Sequence, residues 1–334
     1  MNAKRNRNTM NSGAVRAAFG RTLLATVALT FASLPLTAAA ATAEKPAAKT
    51  ASAKTTQKAF ATPDEAFQAL DDAAKANDTK ALSALLGPSG NALINSGDAV
   101  ADKRGRERFA ADYAAKHSVT MTGDAKATLI VGSEDWPMPI PAVKGASGWT
   151  LDTAAGSREL LARRIGKNEL EAIEVVRAIV DAQLDYTSED RNADGVREYA
   201  LKFASSPGKK DGLYWPTKEG EPPSPLGDLV ARASSEGYGG KKGAQTPYHG
   251  YYYRLLTAQG KDAKGGALNY VVQGRMIGGF AVVAYPAQYG SSGIMTFIVD
   301  NDGTVYQKDL GANTTAVARA MKTYNPDSSW QPVK

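Results

Sequence analysis

The stretch from Ser157 to Arg191 constrains the fold of this chain more than any other. It contains no Pro, and its one internal Gly, Gly166, lies in its first third. Large apolar residues recur along it at steps of three and four, which predicts one apolar stripe on a helix. These residues are Leu170, Ile173, Val176, Val180 and Leu184. A helix of about thirty residues spans roughly 45 Å, so we expect it to run the length of a domain.

Helix signals precede this stretch and strand signals follow it. The Thr-Pro-Asp-Glu run at 62–65 predicts a helix start, with Thr62 as N-cap and Glu65 in the capping-box position. Strand segments follow residue 248 and include a hairpin turn at 300–303. The predicted fold class is therefore α+β. A small domain of helices and a curved sheet comes first, followed by a long helix packed on an antiparallel sheet.

Residues 1–40 have the pattern of a secretory signal peptide. A basic segment at 1–22 precedes a short apolar run at 23–36, and Ala38–Ala40 supplies the small residues that a signal peptidase recognises. The apolar run is short for a membrane span, although an uncleaved N-terminal anchor is the alternative. We therefore expect cleavage near Ala40 and a periplasmic or secreted protein that is not transmembrane after cleavage.

The rest of the chain divides into three predicted segments. Residues 41–59 are Ala, Lys and Thr with one Pro, which is typical of a disordered linker. Residues 60–156 form the predicted α+β domain, and residues 157–334 form the predicted domain of long helix and β-meander.

Composition excludes several classes of function. The formal net charge is +6, but residues 1–40 carry five basic residues and no acid, and the linker is also basic. The body of the chain is therefore slightly acidic, which argues against nucleic-acid binding. The absence of cysteine excludes disulfides, thiolate metal sites and a Cys nucleophile. With only two histidines, a three-His metal site is excluded as well.

One loop has the alternating oxygen ligands of a calcium site. Asp190, Asn192 and Asp194 occupy alternate positions before a Gly, and Glu198 stands at the ninth position. This is the first half of a calcium-loop pattern, in which alternation turns the side chains inward. The twelfth position holds Leu where a bidentate Glu is expected, so a complete EF-hand is not present. The alternative is a polar turn that ends the helix. Calcium is the only cofactor that the sequence suggests.

Residues 60–153 resemble the cone-shaped fold of the nuclear-transport-factor-two-like and polyketide-cyclase-like proteins, because helices precede a meander. The resemblance implies a sheet wrapped around a pocket. His117 and Asp135 are candidates for an acid–base pair there, whereas His249 is more typical of a structural histidine. Four aromatic residues could line a pocket or form plain core. They are Phe67, Tyr113, Trp136 and Trp149.

The second half resembles the pilin and pseudopilin plan. Asn168–Tyr186 is similar to the exposed half of a pilin helix, and Phe297–Tyr306 is similar to the closing strands of pilin-like periplasmic proteins. The chain lacks a prepilin cleavage site and the apolar N-terminal half of the pilin helix. The resemblance therefore implies a soluble pilin-like domain that does not form filaments.

From residue 60 onward the chain resembles a bacterial exported family, domain of unknown function 2950. Five stretches carry this resemblance. They are FATPDEA at 60–66, DWP at 135–137, RRIGKNEL at 163–170, PGKKDGLYWP at 207–216 and GRMIGGF at 274–280. The resemblance implies an envelope location and no particular activity.

Together these features favour an exported envelope protein that acts as a non-enzymatic binding or structural module. Aromatic residues in stiff loops are typical of interaction sites, so an envelope protein or cell-wall component is the expected partner. The alternative is a small-ligand-binding protein or a hydrolytic enzyme that uses a pocket in the first domain.

Overall fold

A computed structural model describes residues 57–191, 193–239 and 246–334. The predicted signal peptide and most of the predicted linker lie outside the described residues, as does Asn192. None of the helices in these ranges combines the length and the apolar composition that crossing a bilayer requires.

The described ranges contain seven α-helices and two short 3-10 helices. The α-helices are α1 (Pro63–Lys75), α2 (Thr79–Leu86), α3 (Asn91–Ile94), α4 (Ala99–Ala115), α5 (Thr153–Thr187), α6 (Gly227–Ser235) and α7 (Thr314–Ala320). The 3-10 helices are Pro88–Gly90 and Gly311–Asn313.

The strands of the described ranges form four sheets, and their order confirms an α+β fold. The first sheet has the order β1 (His117–Thr122), β2 (Lys126–Val131), β4 (Ala142–Gly145), β5 (Gly148–Leu151), with β3 (Trp136–Pro137) also paired to β2. The second large sheet has the order β15 (Gln331–Pro332), β13 (Tyr306–Asp309), β12 (Met295–Asp300), β11 (Ala281–Pro286), β6 (Tyr251–Leu256). Two small sheets pair β10 (Arg275–Met276) with β9 (Val271–Val272), and β14 (Thr323–Tyr324) with β7 (Ala258–Gln259) and β8 (Leu268–Asn269). Every pairing is antiparallel except that of β14 with β7.

Helix α1 begins with the predicted capping box. The Thr62 hydroxyl accepts a hydrogen bond from the Glu65 backbone N–H at 3.2 Å, and the Glu65 carboxylate accepts one from the Ala61 N–H at 3.1 Å. Two otherwise unpaired N–H groups at the helix start are thereby satisfied. Pro63 occupies the first turn, where its missing N–H costs nothing.

Helices α1, α2 and α4 pack with the first sheet around the first hydrophobic core. Phe67 of α1, Leu129 of β2 and Leu151 of β5 are fully buried there. The sequence predicts a helix from Arg104 to Lys116, with Phe109 and Tyr113 four residues apart. Helix α4 begins five residues earlier, at Ala99, because Asp98 caps it and accepts from the Ala101 N–H at 3.0 Å.

The long helix α5 lies four residues earlier than predicted, at 153–187, and its 35 residues span roughly 52 Å. The predicted apolar stripe is partly wrong. Ile173, Val176 and Val180 are buried, but Leu170 is 68% exposed and Leu184 is 45% exposed. The buried face also includes small and polar residues, which a search for large aliphatic side chains passes over. These are Ala172, Ala182 and Gln183.

The second core lies between α5 and the second large sheet. Helix α5 packs on β6, β11 and β12, and α7 and β14 also pack on β11. All six residues of β11 are buried. Successive side chains of a strand point to opposite faces, so both faces of this central strand are covered. The predicted turn at 300–303 is present, with the Gly303 N–H donating to the Asp300 carbonyl at 3.0 Å.

The two cores fall on either side of residue 156 in sequence, although Leu160 packs against the first. Hydrogen bonds connect the two sets of elements. Asn168 of α5 donates to the Ser292 carbonyl at 2.9 Å, and the Ser291 hydroxyl donates to the Ala92 carbonyl at 2.9 Å. The division into two domains at this residue stays a prediction.

Candidate functional site

A pocket of about 470 Å³ lies between α4, α5 and the first core. Its size falls within the range of small-molecule sites, roughly 300–1,000 Å³. Gly105 of α4 forms part of the wall, and a Cβ built on it would meet no atom within 4 Å. The walls are mostly apolar. They include Leu70, Leu82, Leu86, Phe109, Met138 and Leu160.

Charged residues around this pocket are mainly basic. Five cationic side chains line it against two carboxylates, a surplus of three positive charges. The cations are Arg106, Arg108, Arg163, Arg164 and Lys167, and the carboxylates are Asp102 and Asp112. An apolar interior with a basic lining suits a ligand that is largely apolar and uncharged or negative.

Two of these arginines hold the short helix α3. Arg164 donates to two α3 carbonyl oxygens at 2.7 and 2.6 Å, and Arg106 donates to the Ile94 carbonyl at 3.0 Å and to the Asn77 side chain at 2.6 Å. Carbonyl groups at a helix end lack intrahelical partners, so these contacts satisfy them. Burial lowers the pKa of Arg164 from its ordinary value.

Asp102 is the buried carboxylate of the pocket wall. One oxygen accepts from the Ser96 backbone N–H at 2.9 Å. Burial raises the pKa of Asp102 above its ordinary value, and the hydrogen bonds from Ser96 and the charges of Arg164 and Arg106 oppose that rise. The negative charge is therefore held by local donors and neighbouring cations.

The remaining cations differ in their contacts. Arg163 pairs with Glu159 and lies over the Trp136 ring at 5.5 Å from its centroid. Arg108 and Lys167 are exposed, and neither makes a hydrogen bond or an ion pair with any residue in the described ranges. These two side chains, one on α4 and one on α5, are available to a ligand.

A second cavity of about 950 Å³, open to solvent to a similar degree, forms a groove that adjoins the pocket. The two cavities share Ile94, Asp102 and Arg106, so these residues form the wall between them. The groove is lined by Thr, Ser, Asn and Gln side chains together with Ala and Lys80. The smaller pocket is the better candidate because its apolar walls can bury a ligand.

The resemblance to the cone-shaped fold implies a pocket within residues 60–153, whereas this pocket also takes lining residues from α5, between 160 and 168. Of the four aromatic candidates only Trp136 lines the pocket. Phe67, Tyr113 and Trp149 are plain core, at 0–5% exposure.

The structure does not bring His117 and Asp135 together as an acid–base pair. The Nδ1 atom of the exposed His117 lies 2.8 Å from the Tyr113 carbonyl oxygen, and its ring stacks on that of Tyr113. Asp135, also exposed, pairs with Lys116 at 2.6 Å. Neither side chain lines the pocket, so the acid–base hypothesis is dropped.

The predicted calcium ligands Asp190, Asp194 and Glu198 lie in the turn after α5, and Asn192 lies outside the described residues. Asp190 accepts from two backbone N–H groups of the turn at 3.2 and 2.7 Å. Asp194 pairs with Arg275 at 3.0 Å. Within the described part of the chain, no group of three His or acidic residues is arranged to hold a metal ion. Calcium binding stays a prediction.

A second cluster of charged and aromatic side chains surrounds His249. The Nε2 atom of His249 lies 3.1 Å from a Glu236 carboxylate oxygen and 3.6 Å from one of Glu171. The 3.1 Å contact is not aligned as a hydrogen bond. Arg104 pairs with the same Glu236 oxygen at 3.2 Å. Burial lowers the pKa of His249 below its ordinary value, and Glu171 and Glu236 oppose that change.

Asp98 connects this cluster to α4. One oxygen of the Asp98 carboxylate accepts two hydrogen bonds, from the Tyr238 hydroxyl at 3.0 Å and from the Gly250 N–H at 2.8 Å. Gly250 has a φ of +76°, and a Cβ there would lie 2.5 Å from the Asn168 amide nitrogen. Only glycine fits this position, so the backbone reaches the buried carboxylate directly.

Sequence reasoning missed this cluster and the basic pair at the pocket. Asp98 and Gly250 are 152 residues apart, and Arg108 and Lys167 belong to different helices. The one local indication is the Tyr-His-Gly run at 248–250, and a lone histidine among aromatic residues is more typical of a structural residue.

Comparison with known protein families matches residues 57–333 to a family described as protein of unknown function (DUF2950). No curated protein matches the chain, and no solved structure matches it.

Proposed function

Because the chain belongs to the DUF2950 family of proteins of unknown function, we propose its function from its own geometry. We infer that it is an exported binding protein that holds a small, largely apolar molecule in the pocket between α4 and α5. The single observation that carries this proposal is the cavity of about 470 Å³ with apolar walls. Such cavities bury most of a ligand's surface, and burial of apolar surface supplies the free energy of binding.

The composition of the lining favours binding over hydrolysis. The pocket is lined by no His, Cys or Tyr of the described residues, and its buried carboxylate, Asp102, is held by Ser96. Its arginines Arg106 and Arg164 are bound to α3. These groups stabilise the wall, so a catalytic role is not assigned to them.

We also propose the cellular location in which the protein acts. The signal-peptide pattern at 1–40 supports export to the periplasm or the medium, with cleavage near Ala40. In that compartment the pocket would be accessible to its ligand, to an envelope protein or to a cell-wall component. To test localisation, the protein is expressed from its full coding sequence, and its N-terminal residue and the cell fraction that contains it are determined. A product that begins near residue 41 and lies in the periplasm or the medium supports export, and a product that keeps Met1 in the cytoplasm contradicts it.

Binding itself is tested with a neutral fluorescent probe. N-phenyl-1-naphthylamine brightens in apolar sites, and we expect a saturable rise in its fluorescence with the purified protein. Gly105→Phe should fill the pocket without strain, because Gly105 is helical and faces open space. We expect this variant to weaken binding by about tenfold or more, a loss of about 1.4 kcal/mol.

Gly166→Phe is the matched control. Gly166 is also helical with open space beyond it, but it does not line the pocket. This variant should bind the probe as the wild type does. Equal loss in both variants, or no saturable binding to the wild type, contradicts the proposed function.

A further inference from the structure

We propose that the ligand of this pocket is a monoanionic amphiphile, an apolar chain that carries one anionic head group. The head group lies at the mouth between Arg108 of α4 and Lys167 of α5, and the chain enters the apolar interior. This inference rests on the proposed function and specifies the chemical class of its ligand.

Three of the five cations that line the pocket are already engaged. Arg106 and Arg164 donate to carbonyl oxygens of α3, and Arg163 pairs with Glu159. Arg108 and Lys167 make no hydrogen bond or ion pair with the described residues. They are therefore the charges that a ligand can reach without disrupting the pocket wall.

The buried Asp102 limits where the head group can lie. Asp102 is a carboxylate buried in the wall, at 8% exposure. A buried anion needs hydrogen-bond donors, and an anion placed beside Asp102 would find none unengaged in the described ranges, because Arg106 and Arg164 already donate to α3. The head group therefore stays at the mouth, where Arg108 and Lys167 are exposed to solvent.

The exposed charges of the lining limit the number of charges on the ligand. Asp112 also lines the pocket and lies one helical turn after Arg108 on α4. Arg106 and Arg164 lie beside Asp102 in the wall, and Arg163 pairs with Glu159. Among the exposed and unengaged charges of the lining, Arg108 and Lys167 against Asp112 leave a surplus of one positive charge. A single anionic head group matches that surplus, and Asp112 competes with it for Arg108.

A comparison of matched ligands tests the inference. Dodecanoate and dodecanol differ in charge but carry the same chain, and each is titrated calorimetrically into the purified protein. Partly exposed ion pairs each change affinity by up to about fivefold, so two pairs give a preference for dodecanoate of roughly tenfold. The double variant R108Q/K167Q should abolish that preference by weakening the binding of dodecanoate relative to dodecanol, and D112N should increase it.

The double variant K103Q/R158Q is the control. It removes the same number of charges from α4 and α5, at positions that do not line the pocket. It should keep the preference for the anion. Loss of the preference in this control would mean that net charge alone is responsible, which overturns the assigned contacts.

Vesicles distinguish the two sources of such a ligand. Vesicles of phosphatidylglycerol present the anion in a bilayer, and phosphatidylcholine vesicles are the neutral comparison. Extraction of phosphatidylglycerol that depends on Arg108 and Lys167 supports a lipid source, and dodecanoate binding alone supports a free acid. Equal affinity for dodecanoate and dodecanol overturns this inference but leaves the proposed function standing. If neither ligand nor the neutral probe binds, both proposals fail.

Discussion

At the scale of single residues, burial and neighbouring charges shift the pKa of His249 in opposite directions. Its imidazole is removed from solvent, which disfavours the protonated form, and Glu171 and Glu236 favour that form. Burial is the larger effect, so the pKa of His249 is lowered in the folded protein. A lowered pKa makes folding sensitive to acid, since the unfolded chain then binds a proton more readily.

The pH dependence of unfolding follows from this direction. His249 contributes stability that is fully present above its ordinary pKa of about 6.5 and is lost as the pH falls below that value. We expect the free energy of unfolding to fall more between about pH 8 and pH 5 in the wild type than in His249→Asn. Asn does not titrate and tolerates the φ of +51° at this position. Urea denaturation across this range is the measurement, and parallel curves would refute the assignment.

Asp98 concentrates several hydrogen bonds on one buried carboxylate. It caps α4 and accepts from Tyr238 and Gly250. Asp98→Ala removes the cap and leaves buried donors unpaired, so we expect a loss of about 3 kcal/mol or more. Asp98→Asn keeps one acceptor and should lose less, and Tyr238→Phe should lose about 1 kcal/mol. Chemical denaturation tests this order; a loss near 1 kcal/mol for Asp98→Ala would mean that it acts only as a cap.

At the scale of elements, α5 shows that a large apolar side chain on a helix is not necessarily buried. Ile179 is 2% exposed, whereas Leu170 is 68% exposed although both are large aliphatic residues on the same helix. We expect Ile179→Ala to destabilise the protein by about 2–5 kcal/mol and Leu170→Ala to change its stability by no more than about 0.5 kcal/mol. Thermal and chemical denaturation measure both. Similar losses would show that Leu170 has a partner in solution.

Elements with local causes could be predicted from the sequence. The capping box at Thr62 and the turn at 300–303 depend on residues within five positions of each other, and both are present. The start of α4 could not be placed from the sequence, because Asp98, which caps this helix, also accepts a hydrogen bond from Gly250, 152 residues away. The buried face of α5 was misplaced because close packing on the sheet favours Ala172 over a larger side chain.

At the scale of the whole molecule, the pocket is assembled from distant parts of the chain. Its walls include residues of the five helices α1 to α5 and of the strands β2 and β3, and Arg164 of α5 holds the short helix α3. A pocket was anticipated from a resemblance of element order, but Arg108 and Lys167 give no local pattern. Their proposed role depends on which other cations of the lining are already bound to protein groups, and tertiary contacts determine those partners.

The calcium prediction is also tested on the whole protein. If Asp190, Asn192, Asp194 and Glu198 hold the ion, calcium should raise the melting temperature by several degrees, because a ligand bound only to the folded state stabilises it. A chelator should reverse the rise and Asp194→Ala should abolish it. An unchanged melting temperature would leave the segment as a polar turn held by Asp190 and the Asp194–Arg275 pair.

The position of a bound ligand tests the central claim most directly. Crystals grown with 12-bromododecanoate would locate the bromine by anomalous scattering. The account predicts a bromine peak among Leu82, Leu86 and Met138, and the carboxylate at the mouth beside Arg108 and Lys167. A fully occupied ligand elsewhere on the protein, or a pocket that stays without bromine at saturating concentration, would contradict it.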